Sequence, residues 1–427
     1  MNLAVVGGGY VGLVTAAVFA QLGHRVIVVD IDKEKIFKLK RGEVPFYEPG
    51  LNDLVKKELL SNRLFFTDAY SPAISSAEIV FICVGTPTIK GRADLSFLFE
   101  AVRQIATEIK DETIVVIKST VPPGTNEKVE KLMKRLTKSK FYLASVPEFL
   151  REGKAIYEAL HPQRIIIGSR EPKVARKLRE LYKGIPGKRF ECSPESAQLI
   201  KYASNAFLAT KISFINSISI LCDALGANVD EVINGLGMDK RIGREYLNAG
   251  LGYGGSCFPK DVAALIDISK KNNYNFQILK STVKTNEFQI NYFVNKAIGL
   301  LGGDIKGKVL TILGLSFKPG TSDMREARSI YIIKMLKEKG AIIRACDPAA
   351  VPEAKKIIKG VDFFINPYEA LAGAEGLLLV TEWDEYKSLD FNKIKQIMKK
   401  LVVIDGRNIY SRKQLENLGF IYGGIGR

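Results

Sequence analysis

The first thirty residues, MNLAVVGGGYVGLVTAAVFAQLGHRVIVVD, constrain the fold more strongly than any other segment of the chain. Residues 3–7 form a short apolar run typical of a buried strand, and the run VTAAVFAQLGH that follows predicts a helix ending at Gly23. Residues 25–29 form a second apolar run, which ends in Asp30. A strand, a helix and a second strand in this order predict a βαβ unit with two parallel strands.

Three glycines, Gly7, Gly9 and Gly12, lie between the first strand and the helix in the pattern GxGxxG. In a βαβ unit the first permits a tight turn, the second lets a pyrophosphate approach, and the third lets the helix pack on the strand. The phosphates then face the helix N-terminus, and Asp30 can accept hydrogen bonds from the ribose hydroxyls. Because a carboxylate there repels a 2′-phosphate, the segment predicts NAD rather than NADP. The alternative is a glycine-rich corner without a ligand.

The α/β alternation continues through three further apolar runs that predict strands: residues 79–84, 113–118 and 141–145. Each run leads into a polar or Gly/Pro-rich loop, at the edge where doubly wound sheets bind ligands. Thr86 and Thr120 are therefore candidates to line the cofactor site. Glu148 and Glu152 either enter the same crevice as catalytic groups or only complement a helix dipole.

A run of about thirty residues without a helix breaker begins at Pro194 and predicts a helix roughly 45 Å long. It is apolar on nearly all sides, so we expect burial against several neighbours, including a second subunit. Lys201 and Asn205, four residues apart, lie on one face of this helix. They are either a lysine and an amide at the surface, or a cation and a donor aimed at a developing oxyanion.

Residues 252–261 read GYGGSCFPKD and place one thiol, Cys257, on a loop with few side chains. The glycines let a ligand or a backbone approach, and Lys260 and Asp261 follow closely. A catalytic nucleophile and a buried core thiol are the two interpretations. The chain has five cysteines, widely scattered and without a CxxC pair, so we expect no disulfide framework, no metal site and a reducing cytoplasm.

The α/β pattern restarts at residue 307, with four predicted strands: 308–313, 341–346, 377–380 and 401–404. The first turn of this part lacks GxGxxG. Lys318, Arg325 and Arg407 lie at its strand ends, where they meet phosphates or carboxylates, or are ordinary surface charges. The chain is therefore predicted to have three domains: an NAD-binding domain at 1–193, a helical domain at 194–300 and a second nucleotide-binding sheet at 301–427.

The chain is strongly basic, with 63 basic against 46 acidic residues and a net charge of +17. Nucleic acid, an anionic small substrate or lysine-rich helix surfaces would each explain this charge. No basic block alternates with exposed aromatic residues, so nucleic acid is disfavoured. With only two histidines, His24 and His161, proton transfer falls to Lys, Asp, Glu or water. No run approaches the ~20 apolar residues of a membrane span, and the N-terminus lacks the basic start of a signal peptide, so we expect neither.

Seven motifs in order carry a resemblance to a known family: GGGYVGL, VGTPT, KSTVPPGT, PEFLREG, LIKYASNAF, GYGGSCFPKD and FKPGTSDMRE. Over essentially its full length the chain resembles nucleotide-sugar dehydrogenases, the UDP-glucose/GDP-mannose dehydrogenase family. The resemblance implies an α/β fold of two Rossmann-like doubly wound sheets, joined by a long central helix and a helical dimerisation region. It also implies NAD as cofactor, a UDP-sugar bound by the second sheet, and a cytoplasmic homodimer or larger homo-oligomer, with neither nucleic acid nor membrane as partner.

Members of this family oxidise the C6 alcohol of the sugar to a carboxylate, a four-electron change that uses two NAD and one water. By resemblance, Cys257 holds the intermediate aldehyde as a thiohemiacetal and then as a thioester. Lys201 and Asn205 stabilise the alkoxide and the oxyanions, and Asp261 holds or activates the water. The other implied groups are a second acid or base and two residues beside the water and nicotinamide: Glu148, Thr120 and Glu152.

The resemblance also implies contacts with both ligands. The implied cofactor contacts are Gly7, Gly9, Val11, Gly12, Asp30, Lys35, Thr86, Thr120, Glu152, Lys260 and Arg325. The implied substrate contacts are Glu148, Phe149, Leu150, Arg151, Glu152, Lys201, Asn205, Arg241, Tyr246, Leu247, Asn248, Ala249, Gly250, Gly254, Lys318 and Arg407. Of these, Arg241 is implied to reach the substrate of a neighbouring subunit.

Two motifs, PEFLREG and GYGGSCFPKD, read closest to the UDP-glucose branch of the family, which implies oxidation of UDP-glucose to UDP-glucuronate. The alternatives within the family are the same chemistry on GDP-mannose or on a UDP-N-acetylhexosamine. A regulatory protein that keeps the NAD fold without catalysis is an alternative from another class. The intact set of Cys, Lys, Asn and Asp argues against that last alternative.

Overall fold

The computed structural model describes residues 1–89 and 91–427 of the chain. Its strands, in chain order, are β1 (Asn2–Val6), β2 (Arg25–Val29), β3 (Leu64–Thr67), β4 (Ile79–Ile82), β5 (Thr88–Ile89), β6 (Arg92–Ala93), β7 (Thr113–Ile117), β8 (Phe141–Ser145), β9 (Arg164–Ser169), β10 (Lys188–Cys192), β11 (Val309–Leu313), β12 (Ile342–Cys346), β13 (Asp362–Phe364), β14 (Gly376–Leu379), β15 (Val402–Asp405) and β16 (Ile421–Gly423). Its helices are α1 (Tyr10–Gln21), α2 (Lys33–Lys40), α3 (Leu51–Leu60), α4 (Ser71–Ile74), α5 (Ser96–Glu108), α6 (Thr125–Leu136), α7 (Ala155–Leu160), α8 (Pro172–Leu181), α9 (Pro194–Leu225), α10 (Val229–Met238), α11 (Phe258–Lys271), α12 (Gln277–Leu300), α13 (Arg328–Glu338), α14 (Val351–Ile357), α15 (Pro367–Leu371), α16 (Asp384–Lys387), α17 (Phe391–Ile397) and α18 (Arg412–Asn417).

Eight strands form the first sheet, in the order β10-β9-β8-β7-β4-β1-β2-β3. Neighbouring strands are parallel except β8 and β9, and from β3 to β8 the order is that of a doubly wound sheet. β4 and β7 are buried along their whole length, as expected of central strands covered on both faces. The five strands predicted for this part of the sequence are confirmed, with ends that shift by at most two residues.

Six strands, all parallel, form the second sheet in the order β13-β12-β11-β14-β15-β16. This is the doubly wound order again, so the predicted fold class of two Rossmann-like sheets is confirmed. In each sheet the strand order reverses at one point, between β1 and β4 or between β11 and β14. Sheets of this kind bind ligands outside the carboxyl ends of the strands at that switch point.

The helix α9 runs without interruption over 32 residues, about 48 Å, which confirms the helix predicted from Pro194. Among the described residues it is the one helix long and apolar enough to cross a membrane by length and composition, and 33% of its most apolar window is buried. The core helix of a globular protein meets the same test. α9 also carries the buried polar side chains of Lys201, Asn205 and Asn216, which are costly in contact with lipid.

The chain divides into two compact units: Met1–Ser204 with Ala263–Ile268, and Asn205–Val262 with Ser269–Arg427. The first unit contains the eight-stranded sheet. In the second unit the six-stranded sheet shares an apolar core with α9 and α12, to which Ile215, Phe293 and Ile312 contribute. The division into three domains at residues 193 and 300 stays a prediction.

Candidate active site

The turn between β1 and α1 has the shape that a dinucleotide requires. Gly7 has a φ of +104°, and a Cβ there would lie 2.8 Å from the carbonyl oxygen of Cys83. A Cβ at Gly12 would lie 1.9 Å from the carbonyl oxygen of Gly7, so the helix packs on the strand more closely than a side chain allows. At Gly9 a Cβ would meet no described atom within 4 Å, and α1 begins at the next residue without a side-chain cap. The first N–H groups of α1 therefore fit a bound pyrophosphate.

Asp30 follows β2 and pairs with Lys35, a second predicted cofactor contact. Its carboxylate accepts hydrogen bonds from the N–H of Gly8 at 2.7 Å and from Nζ of Lys35 at 3.0 Å. Near the switch point, the hydroxyl of Thr86 donates to the carbonyl oxygen of Thr120 at 2.8 Å, so the two threonines predicted to line the cofactor are in contact. The residues present fit the predicted NAD: a glycine turn for the pyrophosphate and a carboxylate for the ribose.

A buried ion pair joins two predicted catalytic residues of the first unit. Nζ of Lys201, on α9, lies 2.9 Å from Oε1 of Glu148, which follows β8, and the two residues are 3% and 8% exposed. Burial by itself would raise the pKa of Glu148, but the Lys201 ammonium and the N–H of Leu150 outweigh it and hold that pKa below its ordinary value. The Lys201 ammonium also lies over the ring of Phe149, 5.3 Å from its centroid. Glu148 is therefore ionised at neutral pH and fixes the position of Lys201.

A further buried carboxylate, Glu48, organises the same edge of the first sheet, and no sequence pattern indicates it. It accepts hydrogen bonds from the hydroxyl of Tyr10 and from the N–H groups of Gly153 at 2.5 Å and Ala155 at 2.7 Å. Burial and the neighbouring Glu48 raise the pKa of Tyr10, whose hydroxyl therefore stays a donor. Glu48 thereby ties the loop after Glu152 to the start of α1. Its sequence context, EVPFYEPG, has no spacing that points to any of these three partners.

The second unit holds the thiol together with three of its predicted partners. Cys257 lies directly before α11, whose N-terminus favours negative charge, and its carbonyl oxygen accepts from the N–H of Asp261 at 2.8 Å. The Asp261 carboxylate is 1% exposed. It accepts from Nδ2 of Asn205 at 2.6 Å and from Nζ of Lys260 at 2.6 Å. The fold thus brings these four residues together, although α9 contributes one and the cysteine loop the other three.

The other four cysteines have thiols with raised pKa values. All five, each within the described residues, are unlinked thiols. Burial raises the pKa of Cys83 to about 12 and that of Cys346 to about 11, and it raises the pKa values of Cys192 and Cys222 as well. Because the thiolate is the nucleophile, the raised pKa values make these four poor nucleophiles. Cys83, Cys222 and Cys346 are buried, which suits the predicted role of core thiols, whereas Cys192 is half-exposed.

The predicted substrate loop, residues 246–250, packs against the second sheet. A Cβ at Gly250 would lie 3.6 Å from Nη1 of Arg407, which follows β15. A Cβ at Gly254 would lie 2.2 Å from the carbonyl oxygen of Glu326, so only glycine permits this approach. The loop therefore lies at the carboxyl edge of the second sheet, where a nucleotide is expected.

Three predicted cationic contacts, Lys318, Arg325 and Arg241, lie on loops of the second unit. Arg325 pairs with Asp323 at 2.7 Å and Arg241 with Asp239 at 2.6 Å, in each case two positions earlier in the chain. Lys318 lies over the preceding aromatic ring, 5.3 Å from its centroid. The ligand contacts of these residues, and the catalytic roles of the others, stay predictions.

Comparison with known proteins places the whole chain in one family. Three models of the UDP-glucose/GDP-mannose dehydrogenase family match in succession: the NAD binding domain at residues 1–186, the central domain at 195–288 and the UDP binding domain at 311–412. UDP-glucose 6-dehydrogenase TuaD from Bacillus subtilis is 44% identical over 430 residues, covering 100% of this chain and 93% of that protein. UDP-glucose 6-dehydrogenase from Rhizobium meliloti is 42% identical over 438 residues, covering 100% of both.

Solved structures agree with the sequence comparison. A UDP-glucose dehydrogenase from the archaeon Pyrobaculum islandicum matches with a TM-score of 0.92 and 39% identity, over 99% of this chain and 97% of that one. A UDP-D-ManNAc dehydrogenase from Pyrococcus horikoshii matches with a TM-score of 0.89 and 29% identity, over 100% and 99%. The predicted family, the predicted fold and the predicted NAD cofactor are confirmed.

Proposed function

The chain belongs to the UDP-glucose/GDP-mannose dehydrogenase family, and we propose that it oxidises UDP-glucose at C6 to UDP-glucuronate, with reduction of two NAD and consumption of one water. One observation carries the proposal: Cys257 lies before α11, and the buried Asp261 carboxylate one turn later is held by Asn205 and Lys260. A thiol one helical turn before a fixed carboxylate suits a reaction that must retain an aldehyde and later admit water.

The proposed reaction passes through two covalent intermediates on Cys257, a thiohemiacetal and then a thioester. NAD, when bound, accepts a hydride in each of the two oxidations. Loss of a hydride and a proton converts the C6 alcohol to an aldehyde. The Cys257 sulfur then adds to that carbon while the thiol proton passes to the aldehyde oxygen, which gives a thiohemiacetal. Loss of a second hydride and of the hydroxyl proton gives a thioester. Water then breaks the carbon–sulfur bond, which releases the carboxylate, a proton and the thiol.

In this proposal, separate buried polar side chains stabilise the oxyanions, accept a proton and orient the water. Lys201 and Asn205, one turn apart on α9, donate to the oxygen on C6 as it becomes an alkoxide and later an oxyanion. Glu148 holds Lys201 and, being ionised, can accept a proton. Asp261, with its carboxylate fixed from two sides, orients the water that attacks the thioester.

UDP-glucose is the proposed substrate because two relatives that match the full chain, at 44% and 42% identity, are named UDP-glucose 6-dehydrogenase. The UDP binding domain of the family, at residues 311–412, supports a UDP-sugar in general. A UDP-N-acetylhexosamine and GDP-mannose are the alternatives. They are favoured less because the UDP-D-ManNAc dehydrogenase is only 29% identical and a GDP-mannose dehydrogenase only 30% identical. Parallel assays with each sugar nucleotide, following NADH absorbance, distinguish them.

The decisive test is intact-protein mass spectrometry of an Asp261→Asn variant after incubation with NAD and UDP-glucose. We expect a mass increment of one glucuronyl nucleotide on the peptide that contains Cys257, because hydrolysis stalls while both oxidations proceed. Cys257→Ala should abolish turnover. Cys192→Ser, which alters another half-exposed thiol, serves as the control and should keep full activity. The wild type should yield two NADH for each UDP-glucose and no free aldehyde. Full activity in Cys257→Ala, or one NADH for each substrate, would contradict the thioester mechanism.

We propose further that the protein is a cytoplasmic homodimer. On α9, Phe207, Phe214 and Leu221 are exposed at intervals of seven residues, which places them along one stripe of the helix. Such a stripe on a soluble protein favours a second copy as its cover. In that dimer Arg241 would reach the substrate of the partner subunit. Light scattering at micromolar concentration should give twice the mass of the chain or more, and a monomer there would contradict the dimer.

A further inference from the structure

Buried side chains hold the backbone of the loop that leads to Cys257. The N–H of Gly250 donates to Oδ1 of Asn216, on α9, at 2.8 Å. The carbonyl oxygen of the same glycine accepts from Nε2 of Gln289, on α12, at 2.8 Å. Both amide side chains are fully buried, so this end of the loop is fixed by two helices rather than by a neighbouring strand.

Asn286, one turn before Gln289 on α12, holds the loop nearer to the thiol. Its Oδ1 accepts from the N–H of Tyr253 at 2.8 Å, and its Nδ2 donates to the carbonyl oxygen of Tyr253 at 3.1 Å. One carboxamide thus satisfies both backbone groups of one residue, as a paired strand would. Arg328, the first residue of α13, donates to the same carbonyl. Asn286 and Arg328 are 4% and 6% exposed.

Two glycines of the loop, Gly252 and Gly255, lie too close to neighbouring side chains for the loop backbone to shift toward them. A Cβ at Gly252 would lie 2.3 Å from Oδ1 of Asn286, and one at Gly255 would lie 2.6 Å from the ring of Phe317. The N–H of Gly255 also donates to the carbonyl oxygen of Arg325 at 3.0 Å. The segment is therefore held at Gly250, at Tyr253 and at Gly255, and Cys257 lies two residues beyond the last of these.

This arrangement is expensive for stability alone. Nε of Arg328 and Oε1 of Gln289 are buried without a hydrogen-bond partner among the described residues. A guanidinium at the first residue of a helix also opposes the helix dipole, and burial lowers the pKa of Arg328. Apolar packing would stabilise the same region without those costs, so accurate placement of the loop is the better explanation for the polar side chains.

We propose that Asn286, assisted by Arg328, is a positioning residue for Cys257 and for the sugar-binding loop before it. The proposal rests on the proposed function, in which Cys257 must reach C6 of the sugar. Asn286 does not touch the substrate in this proposal; it acts through the backbone of Tyr253. A displacement of about 1 Å at a reacting group can lower a rate a hundredfold, so loss of this contact should be visible in catalysis.

The test compares Asn286→Leu with Asn291→Leu, which alters an exposed asparagine of the same helix. In Asn286→Leu we expect faster hydrogen–deuterium exchange in a peptide covering residues 250–257, and kcat/KM for UDP-glucose lower by about 10–100-fold. The KM for NAD should not change. Asn291→Leu should match the wild type in all three measurements. Where Asn286→Leu fails to fold, Arg328→Met should also show faster exchange in this peptide and a lower kcat/KM, with a smaller change in each. Arg328→Lys should bring both values most of the way back to those of the wild type.

Two results would overturn the proposal: unchanged exchange in the 250–257 peptide, or faster exchange with kcat/KM equal to that of Asn291→Leu. The second would mean that Asn286 supports the fold without positioning the thiol. Failure of the proposed function looks different, because the wild type itself would then reduce no NAD with any sugar nucleotide. In that case the alkylation rate of Cys257 by iodoacetamide decides: a rate at least about threefold above the control in Asn286→Leu supports the positioning role, and an equal rate overturns it.

Discussion

The two sheets of this protein start in the same way and then diverge. β1 is followed by Gly7 and β11 by Gly314, both in the left-handed region with φ values of +104° and +93°. A Cβ at Gly7 would lie 2.8 Å from the carbonyl oxygen of Cys83, just past β4, and one at Gly314 would lie 2.4 Å from the backbone of Thr381, just past β14. In both sheets the turn therefore packs against the neighbouring strand at the switch point.

The acid after the second strand of each sheet shows the main difference. Asp30 follows β2 and leaves its carboxylate at the rim of the glycine turn, where it accepts from three donors: the N–H groups of Gly8 and Asp32, and Nζ of Lys35. Asp347 follows β12, is 1% exposed and is used entirely within the protein. Its carboxylate accepts from six donors: the N–H groups of Leu315, Ser316, Ala349 and Ala350, the Ser316 hydroxyl and Nε1 of Trp383.

The helices that follow the first strands differ as well. α1 starts directly after Gly9, so its N-terminal N–H groups lie at the switch point. α13 starts only at Arg328, and the long segment before it presents the side chains of Lys318 and Arg325 instead. One topology thus carries two different arrangements after its first strand: the first sheet has a helix N-terminus there, and the second sheet has a loop with cationic side chains.

The largest expected effect is on the stability of the protein, and it should differ between Asp347 and Asp30. Asp347→Asn should lower the free energy of unfolding by roughly 3 kcal/mol, because an amide cannot accept from all six donors and leaves buried N–H groups unpaired. Asp30→Asn should change that free energy little and should instead weaken the binding of NAD. Urea denaturation and NAD titration of both variants check this. Equal loss of stability in the two would mean that Asp30 is also a structural acid.

Glycine substitutions give the next effect. Gly314→Ala should lower the free energy of unfolding by about 2 kcal/mol, because an L residue is strained at its φ and the methyl group meets the backbone of Thr381. Gly9→Ala has open space for its methyl group, so its stability should stay within about 0.5 kcal/mol of wild type. Its KM for NAD should rise because the methyl group lies where the pyrophosphate approaches. Normal NAD binding by Gly9→Ala would place the pyrophosphate elsewhere.

The preference for NAD over NADP should depend on Asp30 and not on Asp347. We expect kcat/KM to favour NAD over NADP strongly in the wild type, because the carboxylate repels a 2′-phosphate. Asp30→Ala should reduce that preference by about tenfold, equivalent to about 1.4 kcal/mol. The neighbouring Lys35 then remains as a cation that suits the phosphate. A wild type that uses both cofactors equally would remove Asp30 from the ribose role.

The smallest effect is a difference in pH dependence between two buried carboxyl groups. The pKa of Glu148 is lowered in the folded protein, so its contribution to stability is complete above its ordinary value of 4.5 and is lost as the pH falls through the folded pKa. Burial raises the pKa of Asp405, at the end of β15, above 3.8, so the folded state gains stability as the pH falls through that raised pKa.

Urea denaturation from pH 7 down to about pH 2 checks these signs. The stability gap between the wild type and Glu148→Gln should stay constant until the pH falls below the ordinary pKa of Glu148, and should then narrow by about 1 kcal/mol. The stability gap between the wild type and Asp405→Asn should shift in the opposite direction as the pH falls. Parallel curves for the two variants would show that one of the two shifts has the wrong sign.

The order of strands and helices could be predicted because it depends on local patterns. Alternation of apolar runs, the glycines after β1 and the long run from Pro194 each act over a few turns or strands, and backbone geometry translates them directly into elements. The predicted strands and α9 therefore agree with the structure to within two residues at nearly every end. The motifs also pointed to Cys257, Lys201 and Asp261, since glycine-rich loops and polar groups in apolar helices are visible in the sequence.

The partners of the buried polar groups are a property of the folded chain. Glu148 contacts Lys201, and Glu48 contacts Gly153, across long separations in sequence. Asn286, on α12, likewise contacts the backbone of Tyr253 in the loop before α11. No periodicity records such pairs, because they depend on how distant segments pack. Asp30 and Asp347 make the same point, since both are acids directly after a β-strand. Only the packing of the turn after β11 around Asp347 occupies one carboxylate completely, while the open glycine turn leaves the other at the rim where a ribose can bind.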